Sequence, residues 1–150
     1  MNVEACLKTE KEIPLPKRTL IHLQLVASRL HEDLTETLKP FDVSLQQFNV
    51  LRILRGQKGK PATLSTISDR MVNKMSNTTR LVDKLIAKDL VRRDICPTNR
   101  RKVDITITQK GLDVLQNMDK AMDTTETKMV NDFSQTELKE INRLFDKLYQ

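Results

Sequence analysis

Mainly α-helical with one small β-hairpin is the fold class that the sequence predicts for this 150-residue chain. Three observations predict it. Apolar residues recur at three- and four-residue steps along most of the length. One short segment, Val103–Thr108, alternates apolar and polar residues instead. Pro40, Gly56, Gly59, Pro61 and Pro97 fall between these patterns, where they break one element from the next.

Residues 1–16 mix charges with Pro14 and Pro16 and are expected to form a loose arm. From Lys17 to Lys39, Leu20, Leu23, Ala27, Leu30, Leu34 and Leu38 mark one stripe of a long helix, which Pro40 ends. Ser44 is placed to cap a second helix, LQQFNVLRIL, that stops before Gly56. A third, short helix follows Pro61, with Thr63 as its cap and Leu64, Ile67 and Met71 inward. In the stretch Ser76 to Leu90, Ser76 or Asn77 supplies the cap and Leu81, Val82, Leu85 and Ile86 face inward. Asn77, Arg80, Lys84 and Lys88 form its outward face, and Ser76 to Thr79 place short hydrogen-bonding groups at its start.

Two strands are predicted next, Val91–Ile95 and Val103–Thr108, joined by the Cys96–Lys102 turn. Val103, Ile105 and Ile107 share one face of the second. Leu112, Leu115, Met118, Met122, Met129 and Phe133 then trace a long Met-rich helix. Leu138, Ile141, Leu144, Phe145 and Leu148 give a last one after Ser134. Two short helices, a polar-tipped helix and a hairpin, in that order, make a winged helix-turn-helix over residues 44–110. The flanking helices, 17–39 and 111–150, carry more apolar stripe than a small central domain can cover. Leftover apolar surface of that kind points to a two-fold dimer.

The net charge of +6 is unevenly placed. Residues 70–110 hold 11 basic and 4 acidic side chains, against 10 and 8 in residues 1–69 and 5 and 8 in residues 111–150. A basic block is either solvated surface or the footprint of a polyanion. Double-stranded DNA explains why these parts sit together, because a helix enters its major groove and short polar groups on the first turn reach base edges. Asn77 suits an adenine edge, Arg80 a guanine or a phosphate, and the methyls of Thr78 and Thr79 a thymine. The hairpin would set Arg100, Arg101 and Lys102 beside the backbone or in the minor groove. Thr63 and Ser65 either contact phosphate or simply cap their helix.

Catalysis finds little support. His22 and His31 lie nine residues apart, roughly 180° around one helix, and cannot share a metal. With glycine only at 56, 59 and 111, no phosphate-cradling glycine loop is possible. No cofactor, metal or enzymatic activity is expected. Cys6 and Cys96 fit no disulfide framework. No apolar run approaches the roughly 20 residues that span a bilayer, and the first 18 residues lack the apolar core of a secretory signal, so a cytoplasmic protein is expected.

Residues 76–111, SNTTRLVDKLIAKDLVRRDICPTNRRKVDITITQKG, resemble the recognition helix and wing of the MarR (multiple antibiotic resistance regulator) family. The matching motifs are Thr79-Arg80-Leu81-Val82-Asp83-Lys84-Leu85, then Leu90-Val91-Arg92-Arg93, then Asn99-Arg100-Arg101 and Ile105-Thr106-Ile107-Thr108-Gln109-Lys110-Gly111. The resemblance implies a homodimeric transcription regulator, usually a repressor, joined through its N- and C-terminal helices and bound to a pseudo-palindromic operator. It also implies release by a small phenolic or anionic effector in many members and oxidant sensing through a cysteine in others; His22, on a dimer-side helix and able to pair with an anion, is a candidate for the effector contact. Two positions depart from the pattern. Asn99 stands where the family usually has a wing-bracing aspartate, and Asp89 where it usually has glycine after the recognition helix. Two other readings stay open at this point, a winged-helix module that binds protein instead of DNA and a regulator switched by Cys6 or Cys96.

Overall fold

The computed structural model describes residues 2–95 and 103–149. The chain runs α1 (Val3–Cys6), α2 (Leu15–Leu38), a 3-10 turn (Lys39–Phe41), α3 (Leu45–Arg55), α4 (Leu64–Arg70) and α5 (Thr78–Ile86). It continues through β1 (Val91–Ile95), β2 (Val103–Ile107), α6 (Gln109–Met129), α7 (Gln135–Asp146) and a final 3-10 turn (Lys147–Tyr149). The mainly helical architecture with one two-stranded antiparallel hairpin is the one expected.

The arm differs from expectation. Asn2 caps α1 by accepting from the Ala5 amide, Val3 is fully buried, and Arg18 on α2 donates to both carboxylate oxygens of Glu4, at 2.7 and 3.2 Å. A four-residue helix is too short to show a period, so nothing in the sequence marks it. Helix α2 also begins earlier, at Leu15, because Pro14 at the N-cap and Pro16 in the first turn occupy positions whose amides need no partner.

Local signals fix the middle of the chain. Ser44 and Gln47 form a reciprocal capping box at the start of α3, so the buried Gln47 side chain is satisfied by the Ser44 amide at 2.9 Å. Behind that cap, Phe48, Val50, Leu51 and Leu54 bury one face of α3 against α5, β2 and α6. Thr63 caps α4, and Met71 closes it as a buried residue. Strands β1 and β2 pair from Val91↔Ile107 to Ile95↔Val103, and Ala62 adds a bridge to Ile105 with both hydrogen bonds at 2.9 Å. The second strand ends at Ile107, one residue short of the expected Thr108, whose hydroxyl instead caps α6 by accepting from Gly111.

Gly111 shows how tightly the hairpin seats on α6. A Cβ there would lie 2.2 Å from the Leu90 carbonyl oxygen and 2.8 Å from the Ile107 side chain, so only glycine fits. Asp89, in the position expected for glycine, does enter the left-handed region at φ 58°. The Leu90 amide reaches back to the Leu85 carbonyl and the Asp89 amide to Ile86, which closes α5 in a Schellman turn.

Leu115, Met118 and Met122 bury α6 against the centre, and α6 runs alongside α2, where the Thr37 and Thr125 hydroxyls meet at 2.8 Å. Phe133, expected to continue that helix, lies beyond its end at Met129 and is exposed. Helix α7 opens with a second capping box, Ser134 with Glu137, yet contains no buried residue. The capping amide and hydroxyl of Ser134 hold the Glu137 carboxyl below the usual carboxylate range.

Candidate nucleic-acid interface

Helices α4 and α5 and the turn between them make the helix-turn-helix. The inward stripe of α5 is Thr78, Val82 and Leu85, at steps of four and three. That stripe packs the helix on α3 and α4 and leaves Asn77, Thr79, Arg80, Asp83 and Lys84 on the exposed side.

Asn77, not Ser76, is the cap: its side-chain oxygen accepts from the Arg80 amide at 3.1 Å. The oxygen is thus committed to the helix, while the amide nitrogen is left to donate. Thr78 corrects the sequence reading. It is 8% exposed and turned into the core, with its hydroxyl oxygen unpartnered among the described residues, so it leaves the set of base-reading candidates. Ser76 is half-buried with its oxygen likewise covered. Thr79 and Arg80 keep the exposure that a groove contact needs. At the other helix, Thr63 accepts from the Thr66 amide at 3.2 Å and bonds the Thr66 hydroxyl at 3.0 Å, the capping role, whereas Ser65 is exposed. Arg100, Arg101 and Lys102 lie outside the described residues, as do Cys96 and Asn99.

The described cations of the basic block divide into two groups. Lys88, Arg92, Arg93 and Lys110 each have a carboxylate partner: Asp42 at 2.7 Å, Asp94 at 3.3 Å, Asp83 at 2.6 Å and Asp89 at 3.8 Å. Arg70, Lys74, Arg80 and Lys84 have none among the described residues. The paired group therefore lies along the C-terminal end of α5, the hairpin base and the start of α6. The uncompensated group lies on α4, the turn and the outer face of α5. Among the described residues, this is the part of the block that offers a polyanion charge not already answered by a carboxylate.

The paired cations hold this face in place. Arg93 of β1 donates to Asp83 of α5, tying the hairpin base to the helix, and Arg92 donates to Thr106 across the strands at 2.9 Å. Lys88, expected on the outward face of α5, instead donates to both the carboxylate and the carbonyl of Asp42, which sits in the left-handed region after α2. That hydrogen bond holds the Asp42 carboxyl below its ordinary value of 3.8. The link joins the end of α2 to the end of α5.

Two polar residues escaped the sequence reading. Gln46 and Asn73 line a shallow groove of about 380 Å³ with Ser76, Asn77, Arg80 and Lys84. Gln46 belongs to α3, outside the basic block, and only the packing of α3 on α5 brings it there. A larger open groove, about 700 Å³, lies where α2, α3 and α5 meet, lined by Lys39, Asp42, Lys84 and Lys88 among others. His22 is elsewhere, half-buried on α2 beside Glu4, whose carboxyl is held low chiefly by the Arg18 hydrogen bond and to a lesser degree by His22. Cys6 is exposed and free. Among the described residues no group of histidine, cysteine and carboxylate side chains could hold a metal, and no helix is long and apolar enough to cross a membrane.

Residues 43–103, from two residues before α3 to the first residue of β2, match the MarR family. The HTH-type transcriptional regulator MhqR of Bacillus subtilis is 28% identical over 110 residues, covering 73% of this chain and 72% of MhqR. A MarR transcription factor from Planctomyces limnophilus superposes with a TM-score of 0.70 at 28% identity, covering 91% of this chain and 98% of that one. Bordetella bronchiseptica BpsR, whose DNA binding is regulated by 6-hydroxynicotinic acid, superposes at 0.73 with 23% identity over 85% of this chain and 90% of BpsR.

Proposed function

We propose that this chain, a MarR-family winged helix-turn-helix transcription regulator, acts as a homodimer that binds a pseudo-palindromic operator in double-stranded DNA and represses transcription there. The observation that carries the reading is the set of cations without a carboxylate partner among the described residues, Arg70, Lys74, Arg80 and Lys84, on α4, the turn and the outer face of α5. Asn77, Thr79 and Arg80 are the proposed base and phosphate contacts of the first turn, with Lys84 and Ser65 on the backbone. Arg100, Arg101 and Lys102 are the proposed wing contacts. Residues 44–110 serve as the DNA-binding part, and residues 17–39 and 111–150 as the dimerisation helices.

Release by a small effector is part of the proposal. The α2–α5 groove, with Lys39, Lys84 and Lys88 on its walls, suits a small phenolic or anionic molecule better than the His22 site does. An anion there competes with Asp42 for Lys88 and so acts on the link between the dimer helix and the recognition helix. BpsR, whose DNA binding is regulated by 6-hydroxynicotinic acid, supports an effector of this kind.

Selection from random duplexes tests the reading. The full chain should enrich a two-fold motif whose half-sites lie about one helical turn apart. Enrichment of no motif would favour a winged-helix module that binds protein instead.

A further inference from the structure

We infer that Met75, with Val72 beside it, is an apolar reader of thymine methyl groups at the tip of the α4–α5 turn. The inference rests on the DNA-binding reading and adds a specificity determinant to it. A single exposed apolar side chain needs no explanation. Met75 at 92% and Val72 at 87% exposure are the two most exposed large apolar side chains among the described residues, and they flank the same two-residue tip.

The turn that presents them is built to do so. The Asn73 side-chain oxygen accepts from the Met75 amide at 3.0 Å, and the Asn73 carbonyl accepts from the Ser76 amide at 3.2 Å. Lys74 reaches back to the Asp69 carbonyl. Met71, one residue earlier, is buried at 2% exposure, so the chain sends one apolar side chain inward and holds the next two out. Met75 stands two residues before the α5 cap, Asn77, and thus ahead of the helix end proposed to enter the major groove.

Charge selects the occupant. Arg70, Lys74 and Arg80, none with a carboxylate partner among the described residues, all lie within five residues of Met75 along the chain. A greasy protein surface meeting the tip would have to strip water from all three cations, whereas DNA compensates them with phosphates. The thymine C5 methyl is the apolar feature of the major-groove edge. Methionine, unbranched and polarisable, adapts to an irregular apolar target of that size.

The test replaces thymine by uracil, which removes the methyl and nothing else. The full chain is first used to select its site from random duplexes, and each thymine of that site is then changed in turn. At one position or more in each half-site the parent should bind the uracil duplex about fourfold more weakly. In Met75→Ala that penalty should vanish, with the salt dependence of binding unchanged, and Met75→Leu should retain most of it. The inference is overturned if no uracil substitution weakens the parent, or if Met75→Ala shows the same penalty. It is equally overturned if Met75→Ala alters sedimentation mass and not base preference, since the tip would then be a protein contact. Failure of the DNA reading itself shows earlier, as a parent that selects no site at all.

Discussion

Between Val43 and Met122 the apolar side chains are covered, Val72 and Met75 of the turn and Ile95 at the strand end apart: Leu51, Ile67, Leu85, Ile105 and Leu115 are fully buried where α3, α4, α5, the hairpin and α6 meet. Over the first two thirds of α2 and in α7 they are not, and Leu15, Leu20, Val26, Leu30, Leu144 and Phe145 remain exposed. Both regions show the same three- and four-residue period in the sequence. The period identifies a face; it does not say what covers that face. The centre closes on itself, while the terminal helices present apolar stripes that a second copy of the chain would bury. Helix α7 makes the contrast plainest, because its capping box specifies a helix that tertiary packing within the chain does little to hold.

The contrast predicts opposite outcomes for truncations in the two regions. In the centre, Leu51→Ala should lower stability by about 2–5 kcal/mol in urea unfolding, through lost burial and the cavity left behind. An effect below about 1 kcal/mol would mean that the core as described is not what holds the domain. At the periphery, Phe145→Ala should weaken self-association by about 1.5–3 kcal/mol for each copy of the side chain, read by sedimentation equilibrium. Its effect on the unfolding of the isolated monomer should stay within about 0.5 kcal/mol. If the variant associates like the parent, α7 is not at the dimer interface.

Two smaller effects sharpen the picture of the links between regions. Asp89→Gly should stabilise the chain by about 0.5–1 kcal/mol, since a left-handed φ of 58° favours glycine, although the Lys110 contact is lost. The Asp42–Lys88 pair should give a pH dependence confined to the acid side. The depressed Asp42 carboxyl contributes fully above its ordinary value of 3.8, and the contribution is lost as pH falls through the lower folded value. Asp42→Asn should remove that part of the acid limb in a pH series of unfolding midpoints, and an unchanged limb would place the acid sensitivity elsewhere.

Much of this was legible in the sequence, and the failures have physical reasons. The helices of the centre were readable because caps and periods agree: Ser44 ahead of α3, Thr63 ahead of α4 and Asn77 ahead of α5. The polar run Ser76–Thr79 misled because three of its four residues look alike, yet Thr78 sits four and seven residues before Val82 and Leu85 and so shares their buried stripe. Lys88 looked like a free outward charge because its partner, Asp42, lies 46 residues away and is brought close only by the fold. Gln46 and Asn73 carried no motif, and α1 was too short to have a period. Of the DNA-facing candidates, the described ones keep exposure at Ser65, Asn77, Thr79, Arg80 and Lys84.

The central claim is that uncompensated cations on α4, the turn and α5 face DNA while the paired ones hold the scaffold. It is tested most directly by comparing Arg80→Gln with Arg92→Gln in anisotropy titrations of the selected duplex over a range of salt. Arg80→Gln should weaken binding and flatten the plot of log K against log salt by roughly 0.9 for each phosphate contact removed, with Arg92→Gln close to the parent. Equal flattening in both variants, or flattening in Arg92→Gln alone, would contradict the account.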